Sequence, residues 1–434
     1  MTELKRSLTP LMVWGLGVGY VISGNYFGWN LGLLQGGTYG LAIALVFIIL
    51  MYITFTLSYS ELACSIPKSG GAFDYASKAF GKDVGFIVGM AQNIEFIFAP
   101  PAIALGIGAY AGTYFPGVQS ETISIIAYFI FLLLNISGIQ IAAMFELVIT
   151  AIAVIAILVF CGLVLPHFDS ANLKVDAFPN GWEGALAATP FAIWFFLGIE
   201  GVANLAEETL NPRRTLLIGF GAAITTLVIL CVLTFTSAIG IGGWKSIVFA
   251  TNGAVSDSPL PLAVQQIPGD PTFWFKLVSG VGLFGLVASF HGLMLAAGRS
   301  TYEFCKAGYG PALLGRLHSR FKTPANALIV NMFIGVVALL SGKTGEVITI
   351  AVFGALTIYV ISMFSLLRLR KTQPQLDRPF RVPFYPVFPI IALIISSLSI
   401  IAVAVYNLNL AAIYLGLLVI SYGIYKLVRK PDAI

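Results

Sequence analysis

Twelve long apolar segments make up most of this chain, and they restrict the folds that it can adopt. The sequence of 434 residues is 58% hydrophobic and only 10% charged, whereas soluble domains carry about 25% charged residues. A helix of about 20 apolar residues is long enough to span the hydrocarbon core of a bilayer. We therefore predict an all-α integral membrane protein with twelve spanning helices. The predicted spans lie near residues 10–34, 39–63, 84–115, 122–139, 145–165, 185–206, 215–241, 274–298, 325–341, 346–367, 386–405 and 410–427.

The basic residues are distributed unevenly between the predicted loops. If the N-terminus is cytoplasmic, all of the 24 lysines and arginines fall on the inner side except Lys174, Lys245, Lys276 and Lys343. Such an excess of positive charge is typical of cytoplasmic loops. We therefore expect both termini in the cytoplasm, and this bias explains the net charge of +5 without a nucleic acid partner.

Two of the spans contain glycine-rich interruptions at matching positions. The first span carries the run Gly24–Asn30, and the sixth carries Gly198 and Gly201 around Glu200. Tight helix packing also favours small residues, but paired broken helices in two halves are typical of transporters with inverted repeats. We predict breaks in helices 1 and 6 and a transport core over 1–370, with repeats at about 10–165 and 185–367. Residues 371–434 would form a basic linker and helices 11 and 12.

Two acidic residues, Glu95 and Glu200, lie inside predicted spans rather than near their ends. A carboxylate at bilayer depth costs about 2.5–3.5 kcal/mol on insertion scales, so it usually faces a partner, water or a substrate. Glu95 lies midway along span 3 and is interpreted first as a substrate ligand. Glu200 lies in the predicted break of span 6, where it suits either a structural and gating role or substrate contact. Either carboxyl group could also carry a coupling proton.

Aromatic and polar residues surround the two predicted breaks. Rings near carboxylates can form a cage for an ammonium ion, although packing or gating explains each ring equally well. His291, the one histidine in a predicted span, suits either hydrogen-bonded packing or a proton relay. The candidates for coupling or gating are Glu200 and His291. The predicted substrate-binding residues are Asn25, Tyr26, Gly28, Trp29, Glu95, Trp194, Phe195 and Glu200.

The sequence lacks the usual signatures of enzymes and nucleotide-binding proteins. The four cysteines are scattered and have no metal-ligand spacing. Gly342-Lys343-Thr344 is not a phosphate loop, because Val337 occupies the position of the required first glycine. We therefore expect no catalytic residue, metal, cofactor or nucleotide.

Several motifs resemble those of the amino acid–polyamine–organocation (APC) transporter superfamily, over nearly the whole chain. They are the glycine-broken first span, Ser60-Glu61-Leu62, the stretch Pro67-Lys68-Ser69-Gly70-Gly71-Ala72-Phe73-Asp74-Tyr75-Ala76, Gly198-Ile199-Glu200, Asn211-Pro212-Arg213-Arg214, Gly298-Arg299-Ser300 and Thr323-Pro324. The resemblance implies the superfamily's five-plus-five inverted-repeat fold and alternating access.

Within the superfamily, the segment Val13–Asn30 and the run Ala206-Glu207-Glu208 look most like bacterial ethanolamine permeases. Related amino acid carriers have a Gly-Ser-Gly turn in span 1, which binds the α-carboxylate of the substrate. The matching run here is Gly28-Trp29-Asn30. Its tryptophan and asparagine side chains crowd the position where a substrate carboxylate would bind. The altered turn in span 1 and the carboxylate of Glu95 both favour a cationic substrate that has no carboxylate group. The resemblance thus implies a transporter importing ethanolamine across a bacterial inner membrane.

Other functions remain open at this stage. The alternatives with the same fold are an amino acid permease and a polyamine or amine exchanger, which would need two acidic subsites spaced along the cavity. A membrane enzyme or passive channel is less compatible with the missing catalytic motifs and paired breaks. The membrane potential supplies about 2.3 kcal/mol per charge per 100 mV, so a cation could enter by uniport. Coupling to protons or sodium is equally open.

Overall fold

The structure, a computed structural model, is helical throughout the part of the chain that it describes. It describes residues 7–137 and 139–428, with the backbone alone at 139–143. Two isolated β-bridges, Leu8 with Thr209 and Phe249 with Val255, accompany the helices. Short 3-10 helices lie at Leu165–His167 and Ile199–Glu208. The described α-helices, α1 to α17, are Pro10–Val21, Ser23–Tyr26, Leu31–Ser65, Ala72–Phe80, Lys82–Gly112, Ser120–Ile136, Ile139–Val164, Gly181–Ala187, Thr189–Trp194, Pro212–Gly240, Trp244–Val248, Pro259–Val264, Pro271–Lys306, Ala325–Leu339, Thr344–Thr372, Val387–Tyr406 and Leu408–Val428.

Nine helical segments of the described residues are long and apolar enough to cross a membrane. Three shorter apolar helices, Pro10–Val21, Ser120–Ile136 and Ala325–Leu339, lie at the predicted spans 1, 4 and 9. The general prediction of an all-helical membrane protein is thus confirmed. The count of twelve crossings, the inverted repeat, the division at residue 370 and the orientation stay predictions. Of the basic residues used for orientation, Lys5, Arg6, Arg429 and Lys430 lie outside the described residues.

The first two predicted spans are joined more closely than the sequence indicates. Helix α3 runs from Leu31 to Ser65 and turns a corner at Gly37, where φ is +61°. A Cβ atom at Gly37 would lie 2.5 Å from Pro179 and 2.7 Å from the carbonyl oxygen of Ala177. This corner therefore needs glycine for both its backbone conformation and its packing. The C-terminal end of the predicted first span, residues 31–36, continues directly into the second.

The helices that carry the candidate site lie in the interior. Helix α5 packs against α13 and α15, and α1 packs against α7, α10 and α13. Helices α16 and α17 lie at the periphery, where Leu398, Val419 and Leu427 are 61%, 69% and 87% exposed. Exposed side chains of this kind suit contact with lipid, which offers no partner for polar groups.

The predicted linker between α15 and α16 is attached to the core through Glu61 at the end of the second span. Glu61 is 1% exposed and accepts two hydrogen bonds of 2.7 Å from the guanidinium group of Arg370. It also accepts one from the backbone N–H of Val382 at 2.7 Å, and Arg378 lies 3.4 Å away. One carboxylate therefore connects span 2, α15 and the linker.

Candidate functional site

The backbone interruptions of the first and sixth spans lie against each other. Helix α9 ends at Trp194, and the chain passes through Gly198, with φ of +98°, into the 3-10 helix. A Cβ atom at Gly24 would collide with the carbonyl oxygen of Trp194 and lie 2.8 Å from the Cα atom of Phe195. Glycine at position 24 therefore allows direct contact between the two backbones.

In the first span, the interruption is shorter than the run from Gly24 to Asn30 that the sequence indicates. Residues Ser23–Tyr26 form the short helix α2, so the first three residues of that run are helical. The extended backbone begins at Phe27, where φ is −159°, and continues through Gly28, where φ is +84°. The correction follows from local hydrogen bonding, since the N–H of Phe27 still reaches the carbonyl oxygen of Ser23 at 3.1 Å.

A second, smaller discontinuity in the first span is bridged by a side chain from α13. The hydroxyl group of Ser289 accepts a hydrogen bond from the N–H of Ser23 at 2.8 Å and donates one to the carbonyl oxygen of Gly19 at 2.6 Å. In a regular helix, that N–H and that carbonyl would bond to each other. Ser289 thus replaces one hydrogen bond of the helix between α1 and α2.

Glu95 of α5 and Glu200 of the 3-10 helix face each other beside these breaks. The two side chains are 0% and 1% exposed. Glu200 Oε2 accepts a hydrogen bond of 2.9 Å from Tyr359, whose hydroxyl lies 3.0 Å from that of Tyr52. Glu200 Oε1 and both Glu95 oxygens have no hydrogen-bond partner among the described residues. Three acceptor atoms are therefore left for a bound molecule or proton.

No basic side chain in the described part of the chain forms an ion pair with Glu95 or Glu200. Apart from Glu200, the titratable neighbours that interact with Glu95 are neutral phenols. Two buried carboxylates in contact repel each other unless a proton or a cation lies between them. The described residues thus supply the negatively charged groups of this site but no positively charged side chain to balance them. The phenols belong to Tyr52, Tyr59, Tyr359 and Tyr414.

The predicted aromatic residues do not all converge on this pair of carboxyl groups. Trp29 packs 5.5 Å from the ring of Phe195, and its indole N–H has no described partner. The indole of Trp194 donates to the carbonyl oxygen of Phe27 at 3.1 Å and connects the two breaks. The hydroxyl of Tyr26 donates to Ala153 of α7 at 2.7 Å. The phenol group of Tyr26 is therefore already bonded elsewhere.

The amide side chains of the first break have different roles. The backbone N–H of Gly28 donates to Asn30 Oδ1 at 3.1 Å, and Asn30 Nδ2 donates to the carbonyl oxygen of Ser256 at 2.8 Å. The N–H of Gly28 is thus occupied within the protein. By contrast, both polar atoms of Asn25, which is fully buried, lack a described partner.

His291 pairs with a carboxylate that the sequence analysis did not single out. Its Nδ1 atom lies 2.6 Å from Oε2 of Glu146, and both side chains are 0% exposed. The predicted span began at residue 145, which placed Glu146 at a span end. In the structure, α7 already begins at Ile139. The extra two turns place Glu146 inside the helix. In the sequence, the apolar residues just before position 145 are the one signal that the helix begins earlier.

Two further polar contacts connect residues near the ends of the surrounding helices. At the end of α13, Arg299 donates to Glu208 at 2.8 Å, beside a cavity of about 40 Å³. At the opposite end, Thr344 donates to Asp257 at 2.7 Å. The burial of Glu95 and Glu200 shows that both carboxyl groups are shielded from solvent in this structure.

Substitution of Gly24 with alanine tests the contact between the breaks. We expect Gly24→Ala to lower the free energy of unfolding by about 1–3 kcal/mol, because overpacked sites must displace their neighbours, here the backbone of Trp194 and Phe195. Thermal unfolding of the purified protein in detergent measures this change. Gly221→Ala is the control, since a Cβ atom there meets nothing within 4 Å. Equal melting temperatures for both variants would show that the breaks are not in contact.

Comparisons with known proteins agree with the helical architecture. A sequence profile described as amino acid permease matches residues 8–422. The chain is 29% identical to an uncharacterized transporter of Rhizobium meliloti, over 99% of this chain and 94% of that protein. It is 25% identical to the branched-chain amino acid permease BcaP of Bacillus subtilis, and 24% identical to a methylthioribose transporter of the same organism. Each of these two alignments covers 90% of this chain and 87% of the relative.

The profile spans nearly all of the described residues, including α2, α5 and the 3-10 helix Ile199–Glu208, which carry Asn25, Glu95 and Glu200. The similar proteins with assigned functions are transporters or permeases, not enzymes. No group of three or more metal-ligating side chains occurs in the part of the chain that the structure describes. The chain therefore belongs to the amino acid permease family of membrane transporters.

Proposed function

We propose that this permease imports a small primary amine without a carboxylate, for which ethanolamine is the leading candidate, by alternating access. The observation that carries the proposal is the pair Glu95–Glu200, which is buried and has no basic partner among the described residues. An ammonium group has three donors and no acceptor. It would satisfy the three free carboxylate oxygens and supply the missing positive charge.

The first break supports a substrate that lacks an anionic group. Amino acid carriers of this superfamily resemble one another in using free N–H groups of span 1 for the α-carboxylate. Here the N–H of Gly28 is bonded to Asn30 within the same turn. The side-chain amide of Asn25 is buried and free, and it can both donate to and accept from a hydroxyl group. We propose that Asn25 binds the hydroxyl end of the substrate, and that Trp29 and Phe195 provide aromatic faces beside the cation.

An amino acid substrate is the second candidate, and it is the one that the names of the relatives support. The similar proteins include a branched-chain amino acid permease and a glutamate/serine transporter. In that case the amide group of Asn25 would donate to the α-carboxylate, while Glu95 still binds the ammonium. A polyamine fits less well, because Glu95 and Glu200 face each other instead of forming two separate acidic subsites.

The remaining parts of the proposal concern orientation and coupling. We place the chain in a bacterial inner membrane with both termini in the cytoplasm, on the basis of its inner-side basic residues. The membrane potential can draw a cationic substrate inward without a second ion. Glu200 and His291 remain the proposed coupling or gating residues, and the core over 1–370 contains both.

Ethanolamine and glycine form a matched pair for the first experiment, because they differ only in a hydroxymethyl group against a carboxylate. We would measure uptake of labelled ethanolamine into proteoliposomes and challenge it with unlabelled glycine, alanine, serine, putrescine and choline. Saturable uptake that ethanolamine blocks and glycine does not would support the leading proposal. Uptake of labelled alanine or serine, with none of ethanolamine, would establish the amino acid alternative and contradict the leading one.

A further inference from the structure

The pair Glu146–His291 lies deep inside the protein and connects two helices that surround the first break. Glu146 belongs to α7 and His291 to α13, and both helices pack against α1. The distance from Nδ1 to Oε2 is 2.6 Å, and neither side chain is exposed. A buried ionisable pair is costly unless its geometry is good and its remaining polar atoms are satisfied.

The remaining polar atoms of this pair are not satisfied within the described residues. His291 Nε2 and Glu146 Oε1 both lack a hydrogen-bond partner, as does the nearby hydroxyl group of Thr150. Two glycines leave room for the carboxyl group. A Cβ atom at Gly19 would collide with Glu146 Oε1 and lie 2.6 Å from Thr150 Oγ1, and one at Gly292 would lie 2.8 Å from Glu146 Oε1.

Few other charged or titratable groups of the described residues face this pair. From α1, the phenol of Tyr20 interacts with Glu146, and it also interacts with the ion pair of Arg299 and Glu208. From α6, the neighbours are the ring of Phe131 and the amide of Asn135, which donates to the carbonyl oxygen of His291. The ring of Phe145, on α7 itself, lies 5.1 Å from the imidazole. The net charge of the pair is therefore set by its own protons.

We propose that Glu146 and His291 form a proton-binding site, separate from the substrate site, that takes up and releases one proton in each transport cycle. This inference rests on the proposed transport function and adds Glu146 as the partner that holds His291 and shares the charge of the site. In the deprotonated form, neutral His291 donates its Nδ1–H to the Glu146 carboxylate, and the pair carries a charge of −1. A proton then adds to Nε2, so that imidazolium faces carboxylate and the pair is neutral.

The position of the Glu146–His291 pair explains how a change in its charge can affect the discontinuity between α1 and α2. Gly19 contacts Glu146, and its carbonyl oxygen accepts the hydrogen bond from Ser289 that bridges the helix discontinuity. Ser289 and His291 lie two residues apart on α13. Protonation of His291 thus changes the charge at the contact between α1, α7 and α13, beside the discontinuity at Ser23. Since the buried pair is costlier to hold as a net anion, protonation should favour close packing of α1.

A titration of the histidine ring tests the proposal without any assumption about the substrate. The chain has three histidines, and His167 and His318 are exposed, so nuclear magnetic resonance of ¹⁵N-histidine-labelled protein can assign them by His167→Gln and His318→Gln. We expect the His291 ring resonances to show both protonation states over the pH range in which the protein transports. We expect Glu146→Gln to shift that titration. A His291 ring that keeps one protonation state over this range would overturn the proposal.

Flux measurements test whether this proton is coupled to transport. The probe is labelled ethanolamine, or labelled alanine if only alanine is taken up. For one coupled proton, an acid-outside gradient of one pH unit should raise wild-type accumulation by up to about tenfold. His291→Gln and Glu146→Gln should abolish that response while counterflow exchange stays within about threefold of wild type. His167→Gln is the matched control and should keep the full response.

The outcomes of the flux experiment separate the two proposals. A wild type that takes up neither probe would contradict the proposed function, and the histidine titration would still decide the protonation of the pair. A wild type that transports without any response to the gradient would refute coupling at this pair. Variants that transport and keep the response would refute it as well.

Discussion

Glu95→Gln is expected to reduce the affinity for an amine substrate by at least about 30-fold, and the protein should remain folded. Truncating or neutralising one partner of a buried, hydrogen-bonded charge pair costs about 2–5 kcal/mol, and Glu95 would be one such partner once the ammonium is bound. Glutamine keeps the shape of the side chain but replaces one acceptor oxygen by a donor NH₂ group. Direct binding of labelled ethanolamine to purified protein, together with initial uptake rates, measures the loss.

The thermal stability of Glu95→Gln should stay the same or rise, although its affinity for the substrate falls. Without substrate, Glu95 and Glu200 face each other with three unpaired oxygens. Removing one carboxylate relieves this repulsion, so the melting temperature of substrate-free Glu95→Gln should equal or exceed that of wild type. Lost binding with unchanged or raised stability therefore distinguishes a substrate ligand from a residue that only holds the fold. An affinity within threefold of wild type would remove Glu95 from the substrate site.

Glu61→Gln is expected to lower the free energy of unfolding by about 3 kcal/mol. Breaking a buried ion pair by removing one partner costs about 3–5 kcal/mol, and the lower value applies because the Arg370 side chain is 19% exposed. The substitution leaves the guanidinium groups of Arg370 and Arg378 without their carboxylate and weakens the bond to the N–H of Val382. Thermal unfolding in detergent measures the change.

Glu346→Gln provides the control for that measurement. Glu346 pairs with Lys343 at 2.8 Å, but these side chains are 49% and 61% exposed. Exposed ion pairs of this kind contribute at most about 1 kcal/mol, so the melting temperature of Glu346→Gln should stay close to that of wild type. If the two glutamine variants unfold at the same temperature, Glu61 does not anchor the linker in the way that the structure indicates.

The sequence indicated the helical membrane fold because the apolar runs are long and charges are rare within them. The positions of Glu95, Glu200 and Gly198 could also be recognised, since a carboxylate or glycine stands out in an apolar helix. The corner at Gly37 could not be recognised. It depends on contacts with Ala177 and Pro179, which lie about 140 residues away in sequence.

Two features of the candidate site depend on partners that a single sequence does not reveal. The bond from the N–H of Gly28 to Asn30 Oδ1 is local, since the two residues lie two positions apart. In contrast, Ser289 bridges Gly19 and Ser23 across more than 260 residues. The role of Glu146 depended on where α7 begins, and helix boundaries are the least certain part of a sequence-based assignment.

The corner at Gly37 has a mechanical consequence for the first span. Residues 31–36 are fused to the long rod of the second span, whereas α1 is embedded among α7, α10 and α13. The two halves of the predicted first span thus belong to different rods, joined by the bend and turn at residues 27–30. Four residues extend at most about 14 Å. The half that contains α1 can therefore separate from residue 31 by no more than that distance, which favours a pivot of one rod against the other.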